Sequence, residues 1–135
     1  MKCIISFCAE AVIIDSRTNN VSAFNLLEEL HSPSFPVFIP RILFFALLER
    51  DDSDLNRYDL TLKVNNNEQL LLEVPTSADF QDPNKTRNRL IIEIGGLAIP
   101  SAGELGFTLI HAEQTVCSYS VKVMQIGKPQ VKKIE

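Results

Sequence analysis

Acidic side chains in two polar loops are the first residues of this sequence that could do chemistry. A calcium ion requires several carboxylate or carbonyl oxygens around it, and β-sandwich domains can gather them from separate loops. The EF-hand pattern fails because Arg57 stands where that loop requires glycine, and Lys63 stands where it requires an acid. A solvated loop that keeps the protein soluble explains the same residues. The candidate ligands are Asp51, Asp52, Asp54, Asp79 and Asp82.

Histidines do not form a recognisable metal or catalytic pattern. The two histidines are His31 and His111, and Cys117 is the only cysteine near His111 along the chain. Zinc would need further nitrogen or sulfur ligands, so an ordinary histidine outside the core is the alternative. The sequence has no Gly-x-Ser-x-Gly elbow and no glycine-rich phosphate loop. No catalytic residue and no cofactor is predicted.

The cysteines indicate the compartment. Cys3, Cys8 and Cys117 make an odd count without metal-type spacing, and their apolar surroundings are typical of free thiols in a core. Free cysteines favour a reducing compartment, so we expect a cytoplasmic protein. The first residues do not read as a signal peptide, because Glu10 and Asp15 follow the short apolar run.

One apolar stretch, Val37–Glu49, has two hydrophobic faces. Ile42, Phe44, Ala46 and Leu48 alternate with a second apolar set. Two interpretations stay open: the second set is core covered by the first strand, or it is a subunit interface. Phe45→Asp would distinguish the two interpretations. If Phe45 is a core residue, the substitution unfolds the protein; if it lies in an interface, the substitution yields a soluble monomer. The candidate interface residues are Leu43, Phe45, Leu47, Leu71 and Ile110.

Charge argues against two classes of partner. The chain of 135 residues has a net charge of −4 and a pI near 5.2. We expect its basic residues to be scattered, apart from Lys128, Lys132 and Lys133. Nucleic acid and anionic membrane surfaces require clustered lysine and arginine, so neither is an expected partner. No apolar run approaches the roughly 20 residues that span a bilayer.

The first half of the chain alternates between strand patterns and turns. Lys2–Ile14 is an apolar strand that a turn at Asn19-Asn20 joins to a second strand over Val21–Leu27. One short helical turn is possible at Leu27–His31, before the prolines that break the chain. Val37–Glu49 then reads as a central strand, with Pro40 at its start or at a bulge.

The second half predicts further hairpins. Arg57–Val64 alternates cleanly and pairs with Gln69–Val74, and the loop Thr76–Thr86 is long enough to cross between sheets. The last strands, Arg89–Gly95, Leu105–Ala112 and Thr115–Ile126, read as successive hairpins in one half of an antiparallel sheet. Together these patterns predict an all-β, antiparallel two-layer sandwich of about eight strands, with a closed barrel as the alternative. The domain spans residues 1–127, and residues 128–135 form a loose tail.

Two segments together resemble a known group of proteins. One is the strand-turn-strand from Cys8 to Asn25, and the other is Ile99-Pro100-Ser101-Ala102-Gly103-Glu104-Leu105-Gly106-Phe107 with its closing hairpin. With Phe35-Pro36 between them, the chain resembles a family of small uncharacterised bacterial β-sandwich proteins, a domain of unknown function. The turn from proline to glycine is longer here by a residue or two. The resemblance implies a sandwich fold and a bacterial or phage origin, and it carries no catalytic residues.

The sequence therefore predicts a non-catalytic protein-interaction or assembly module. Its partner is another copy of the chain, giving a homo-oligomer, or a different protein. The second interpretation is a sandwich that binds a small ligand or calcium through its acidic loops, and the third is an enzyme of unknown type. Calcium would raise the melting temperature if the second interpretation held.

Overall fold

Nine β-strands form the regular structure of the described residues. The computed structural model describes residues 1–51, 55–80, 82 and 84–127. Runs of alternating apolar residues bounded by turns account for most of these strands. Their bounds are β1 Lys2–Ile14, β2 Val21–Leu26, β3 Glu29–Ser32, β4 Val37–Glu49, β5 Arg57–Asn66, β6 Gln69–Asp79, β7 Arg87–Ile99, β8 Gly103–His111 and β9 Gln114–Gln125.

The strands form two packed sheets, which confirms the predicted all-β sandwich. The first sheet has the order β2-β1-β4-β7, and all its pairs are antiparallel. The second has the order β3-β9-β8-β5-β6. Its pairs are antiparallel except β3 and β9, which run parallel. The structure thus has nine strands where about eight were predicted, and one parallel pair.

The main core lies between the two inner faces. Phe44 of β4 stacks on Phe107 of β8 with ring centroids 6.2 Å apart, and both side chains are fully buried. Leu62 and Val64 of β5 are also fully buried, as their alternation predicts. Burying each large apolar side chain contributes about 1.5–3 kcal/mol. The outward residues of β5 include Thr61 and Lys63, so the second sheet has the predicted polar outer face.

The possible helical turn at Leu27–His31 is wrong. Residues Glu29–Ser32 form β3, whose register places Leu30 beside Val123 and Ser32 beside Gln125 of β9. One turn of helix forms too few hydrogen bonds to be stable alone. As a strand, this segment instead pairs with the backbone of β9 along all four of its residues, and Leu30 packs on the core.

The predicted grouping of the last three strands is also wrong. β7 belongs to the first sheet, where it pairs with β4 from Val37↔Ile99 to Glu49↔Arg87. Only β8 and β9 form the expected hairpin. The turn at 100–102 therefore crosses from one sheet to the other, as the β6–β7 loop also does. A tight turn has the same local sequence signal whether the next strand pairs beside the last one or joins the opposite sheet. Hydrophobic periodicity therefore could not distinguish the two connections.

Side chains from the β5–β6 turn hold that crossing in place. The buried Asn66 amide donates to the carbonyl oxygens of Ser101 and Glu104 at 3.0 and 3.2 Å, and its Oδ1 accepts from the Ser101 backbone N–H at 2.9 Å. Asn67 Oδ1 accepts from the Glu104 N–H at 3.0 Å. These bonds satisfy backbone groups that a chain crossing between sheets would otherwise leave unpaired. We call Asn66, Asn67 and residues 101–104 the turn clamp.

The alternation of β7 shifts by one residue at its glycine pair. Leu90, Ile92 and Ile94 are buried before it, and Leu97 and Ile99 are buried after it. Gly96 allows this shift because it adopts a φ of 69°, which residues with a Cβ rarely do. Pro40 of β4 lies opposite, between the pairs Ile39↔Leu97 and Arg41↔Gly95, so the irregularity predicted at Pro40 coincides with the shift in β7.

Candidate binding cleft

The β1–β2 hairpin folds back over the outer face of the first sheet. Ile5, Leu47 and Arg89 form one row across β1, β4 and β7. β1 pairs with β4 only as far as Ala9, and an unbent strand would place the hairpin tip roughly 30 Å from that row. Instead, Arg89 donates hydrogen bonds to Oδ1 of Asn19, at the tip, and to its backbone oxygen. The hairpin therefore crosses back over β4 toward β7.

The returning hairpin encloses a second, smaller apolar layer. Phe45 stacks on Phe7 at 4.9 Å between ring centroids. Leu43 and Phe45 are only 6% and 3% exposed, Ala9 is fully buried, and Leu47 is half-buried. Within one chain, Leu43 and Phe45 are therefore covered by the chain's own β1–β2 hairpin, and the interpretation of this face as a subunit interface stays a prediction.

The five predicted interface residues do not share one surface. Leu43, Phe45 and Leu47 lie together on the outer face of the first sheet. Ile110 lies on β8 of the second sheet, where it pairs with Thr61. Leu71 is the extra residue at a bulge of β6, and it packs partly against the main core.

A cleft of about 780 Å³ opens between the hairpin and the sheet. Its floor is apolar, and Ile5 within it is 49% exposed. Its rim is polar and consists of Asn19, Lys85, Thr86, Arg87 and Arg89, the last two at the start of β7. The floor residues are Ile5, Phe7, Val21, Ala23, Phe45 and Leu47.

Three basic side chains concentrate positive charge on this rim. Arg87 donates to the Glu49 carboxylate, with 2.9 Å between Nε and Oε2, and Lys2 lies 3.8 Å from the same group. The hydrogen bond from Arg87 lowers the pKa of Glu49, and the charges of Arg87 and Lys2 lower it further. Arg89 bonds to the neutral Asn19, and no acidic side chain in the described ranges forms an ion pair with Lys85. The rim is therefore locally positive in an acidic protein.

A simple sequence signal marks this rim. Lys85, Arg87 and Arg89 stand at alternate positions, so an extended chain places all three on one face. The basic residues were expected to be scattered, and this spacing shows that they are not. The rim was missed because the cluster is short and the net charge of the whole chain is negative.

A family comparison covers almost the whole sandwich. A family described as being of unknown function, DUF6941, matches residues 4–124. The chain belongs to the DUF6941 family. This confirms the predicted resemblance to a domain of unknown function, and no curated protein matches the chain. The cleft and the turn clamp lie within the DUF6941 region, as does all of the hairpin from Ile4 onward.

The predicted calcium ligands are only partly visible. Asp52 and Asp54 lie outside the described residues. Asp82 Oδ1 accepts a hydrogen bond from the Asn84 backbone N–H, and the Arg50 guanidinium donates to the Asp82 carbonyl oxygen at 3.2 Å. No group of three His, Cys, Asp or Glu side chains that could hold a metal occurs among residues 1–51, 55–80, 82 and 84–127. Calcium binding by the full set of Asp51, Asp52, Asp54, Asp79 and Asp82 stays a prediction.

In this DUF6941 chain the histidines contact neighbouring residues, and two of the thiols are buried. His111 Nδ1 lies 3.0 Å from the Asp59 carbonyl oxygen, and its ring packs edge-on against Tyr58. His31 contacts Glu29. Cys8 and Cys117 are buried free thiols, and burial raises the pKa of both. A raised pKa keeps a thiol protonated and a poor nucleophile.

No helix long and apolar enough to cross a membrane occurs in the part of the DUF6941 chain that the structure describes.

Proposed function

We propose that this protein is a non-catalytic interaction module, and that its cleft binds an acidic, apolar segment of a partner protein. The observation that carries the proposal is the combination of an exposed apolar floor with a basic rim. The predicted cytoplasmic location and bacterial or phage origin belong to the same proposal.

The floor supports binding of an apolar side chain. Its volume of about 780 Å³ is within the usual range for ligand sites. Ile5 is half-exposed beside the stacked pair of half-buried Phe7 and buried Phe45, so an aromatic or aliphatic side chain placed there would lose contact with water. Burial of that apolar surface is the expected source of affinity.

The rim supports an acidic partner. Lys85 and Arg89 have no carboxylate partner in the described ranges, and the Nη atoms of Arg87 are not needed for its bond to Glu49. Carboxylates of aspartate or glutamate would form charge-assisted hydrogen bonds with these groups. Charge complementarity of this kind chiefly provides specificity and speeds association, so binding should weaken as salt rises.

The lining of the cleft favours binding over reaction. Among the described residues that line it, none has a carboxylate, imidazole or thiol side chain. General acid–base catalysis and nucleophilic catalysis usually require such groups within hydrogen-bonding reach of the substrate.

Selection from a random peptide library would test the proposal. We expect the selected peptides to share an aromatic or aliphatic residue beside aspartate or glutamate. A synthetic copy of a selected peptide, with lysine in place of each aspartate or glutamate, should bind at least about tenfold more weakly, because its lysines repel the basic rim.

Two variants with matched exposure test the location. Ile5→Glu should abolish peptide binding, and Leu70→Glu should leave it unchanged, because these residues are 49% and 48% exposed but only Ile5 lines the cleft. Peptides without acidic residues, or equal losses in both variants, would overturn the proposal. So would a melting temperature that rises with octanoate while no peptide binds, since that would indicate a small carboxylic acid as the ligand.

A further inference from the structure

Before its glycine pair, the edge strand β7 lacks the features that prevent strand pairing on the other three edges. The exposed edges of the two sheets are β2, β7, β3 and β6. β2 contains Asn25 with a φ of 54°, β3 has only four residues, and β6 carries Pro75 and a bulge. Proline, bulges and short strands all discourage the addition of another strand. β7 has thirteen residues and no proline.

The sequence of this edge is complementary to itself. The segment reads Arg89-Leu90-Ile91-Ile92-Glu93, with opposite charges at equal distances from Ile91. In an antiparallel pair centred on Ile91, Arg89 of one copy lies opposite Glu93 of the other. Leu90 then lies opposite Ile92. Opposite residues share a face of the sheet, so each pair brings together compatible side chains.

We propose that two copies of the chain pair antiparallel through β7, with Ile91 on the two-fold axis. The two four-stranded sheets would then join into one sheet of eight strands. The contact is isologous, because the same five residues of each copy face each other. Unpaired backbone N–H and C=O groups of both edges gain partners, and Ile91, which is 40% exposed, gains an apolar neighbour.

The two charged residues keep atoms available for this contact. Arg89 uses its Nη atoms for Asn19, and its Nε has no partner in the described part of the chain. Glu93 accepts from Arg41 through Oε1, at 2.6 Å, which leaves Oε2 for a second donor. Intermolecular bonding therefore does not require either existing contact to break.

The neighbouring structure limits the length of the pairing. The Asn88 side chain bonds to the Asp79 carbonyl oxygen of β6 at 2.8 Å, so the strand is engaged just before Arg89. At the other end, the alternation shifts at Gly95-Gly96. About five residues remain on each copy, so the dimer should be reversible and depend on concentration.

Cross-linking of variants that each add one cysteine tests both the surface and the register, and the unaltered chain controls for its own thiols Cys3, Cys8 and Cys117. Ile91→Cys should form a covalent dimer with a short thiol-to-thiol cross-linker. Arg89→Cys and Glu93→Cys should each fail alone, but a mixture of the two should cross-link, because these positions lie opposite each other. Leu70→Cys, on the β6 edge, is the control with similar exposure. Circular dichroism verifies that each variant is folded.

Light scattering across a range of concentration completes the test. We expect the mass to rise toward twice the monomer mass, and Ile5→Glu, which alters only the cleft, to leave that rise unchanged. A monomer at every concentration would overturn the proposal. A dimer in which Leu70→Cys cross-links as well as Ile91→Cys, or in which the Arg89→Cys and Glu93→Cys mixture does not, would also overturn it. Arg89 belongs to both sites, so failure of peptide binding would concern the cleft alone when the chain still dimerises.

Discussion

At the residue scale, Phe45 shows how position in the fold decides the role of an apolar side chain. It alternates with Phe44 along β4, so the two rings face opposite sides of the same sheet. Phe44 enters the main core, and Phe45 stacks on Phe7 beneath the returning hairpin. Its exposure of 3% is that of a core residue, although it lies on the outer face of a sheet.

Truncation of this ring should therefore be costly. Phe45→Ala is expected to lower the free energy of unfolding by about 3–4 kcal/mol, because it leaves a cavity against Phe7. Phe38→Ala, at a side chain that is 66% exposed, should lower it by less than about 1 kcal/mol. Urea denaturation measures both. A stable Phe45→Ala variant with a smaller mass in solution would instead support the interface interpretation.

At the element scale, the turn clamp fixes where the chain leaves the first sheet. Gly103 has a φ of 130°, and a Cβ there would lie 2.0 Å from Asn67 Oδ1. That oxygen accepts the Glu104 N–H, so it cannot move without loss of a hydrogen bond. Position 103 thus requires glycine for two reasons. Residues with a Cβ rarely adopt this φ, and a Cβ here would clash with the Asn67 side chain.

Substitution of this glycine tests the clamp. Gly103→Ala should destabilise the protein by roughly 2–4 kcal/mol, through backbone strain and displacement of Asn67. Gly95→Ala is the matched control, since a Cβ at Gly95 has no other atom within 4 Å, and it should change stability by less than about 1 kcal/mol. Thermal melts of both variants provide the measurement. Equal stability of the two would show that the turn can relax around Asn67.

At the scale of the whole molecule, two buried thiols and one half-buried tyrosine link stability to alkaline pH. Burial raises the pKa of Cys8 and of Cys117, and it also raises the pKa of Tyr119, as do the charges of Cys8 and Glu28. Each folded-state pKa lies above its unfolded value. The contribution of these groups to the free energy of unfolding is therefore fully present below the unfolded-state pKa, and it is lost as pH rises through the folded-state pKa.

Stability should consequently fall above about pH 9. Each thiol that ionises only on unfolding should lower the free energy of unfolding by about 1.4 kcal/mol per pH unit. Cys8→Ala should make this decline shallower, and Lys63→Ala, at a half-exposed surface residue, should not. Urea denaturation from pH 7 to pH 10 measures the slope. An unchanged slope in Cys8→Ala would contradict burial of that thiol in the folded state.

Local patterns in the sequence determined most of the strands of this protein. Alternation along Arg57–Val64 identified the inward residues of β5, because a strand repeats every two residues whatever it packs against. The hairpins β1–β2 and β5–β6 followed from turn residues between two such runs. The same alternation, applied to Lys85, Arg87 and Arg89, would also have predicted the basic rim.

Only the tertiary structure decided which sheet received β7, and what covered Phe45. Both depend on contacts between residues far apart in the chain, such as the bond from Arg89 to Asn19 and the amide bonds of Asn66 across the β7–β8 turn. A turn sequence does not specify whether the next strand pairs beside the last one or crosses to the opposite sheet. An apolar strand likewise does not specify its cover, because burial against the same chain and burial against a partner satisfy the hydrophobic effect equally well.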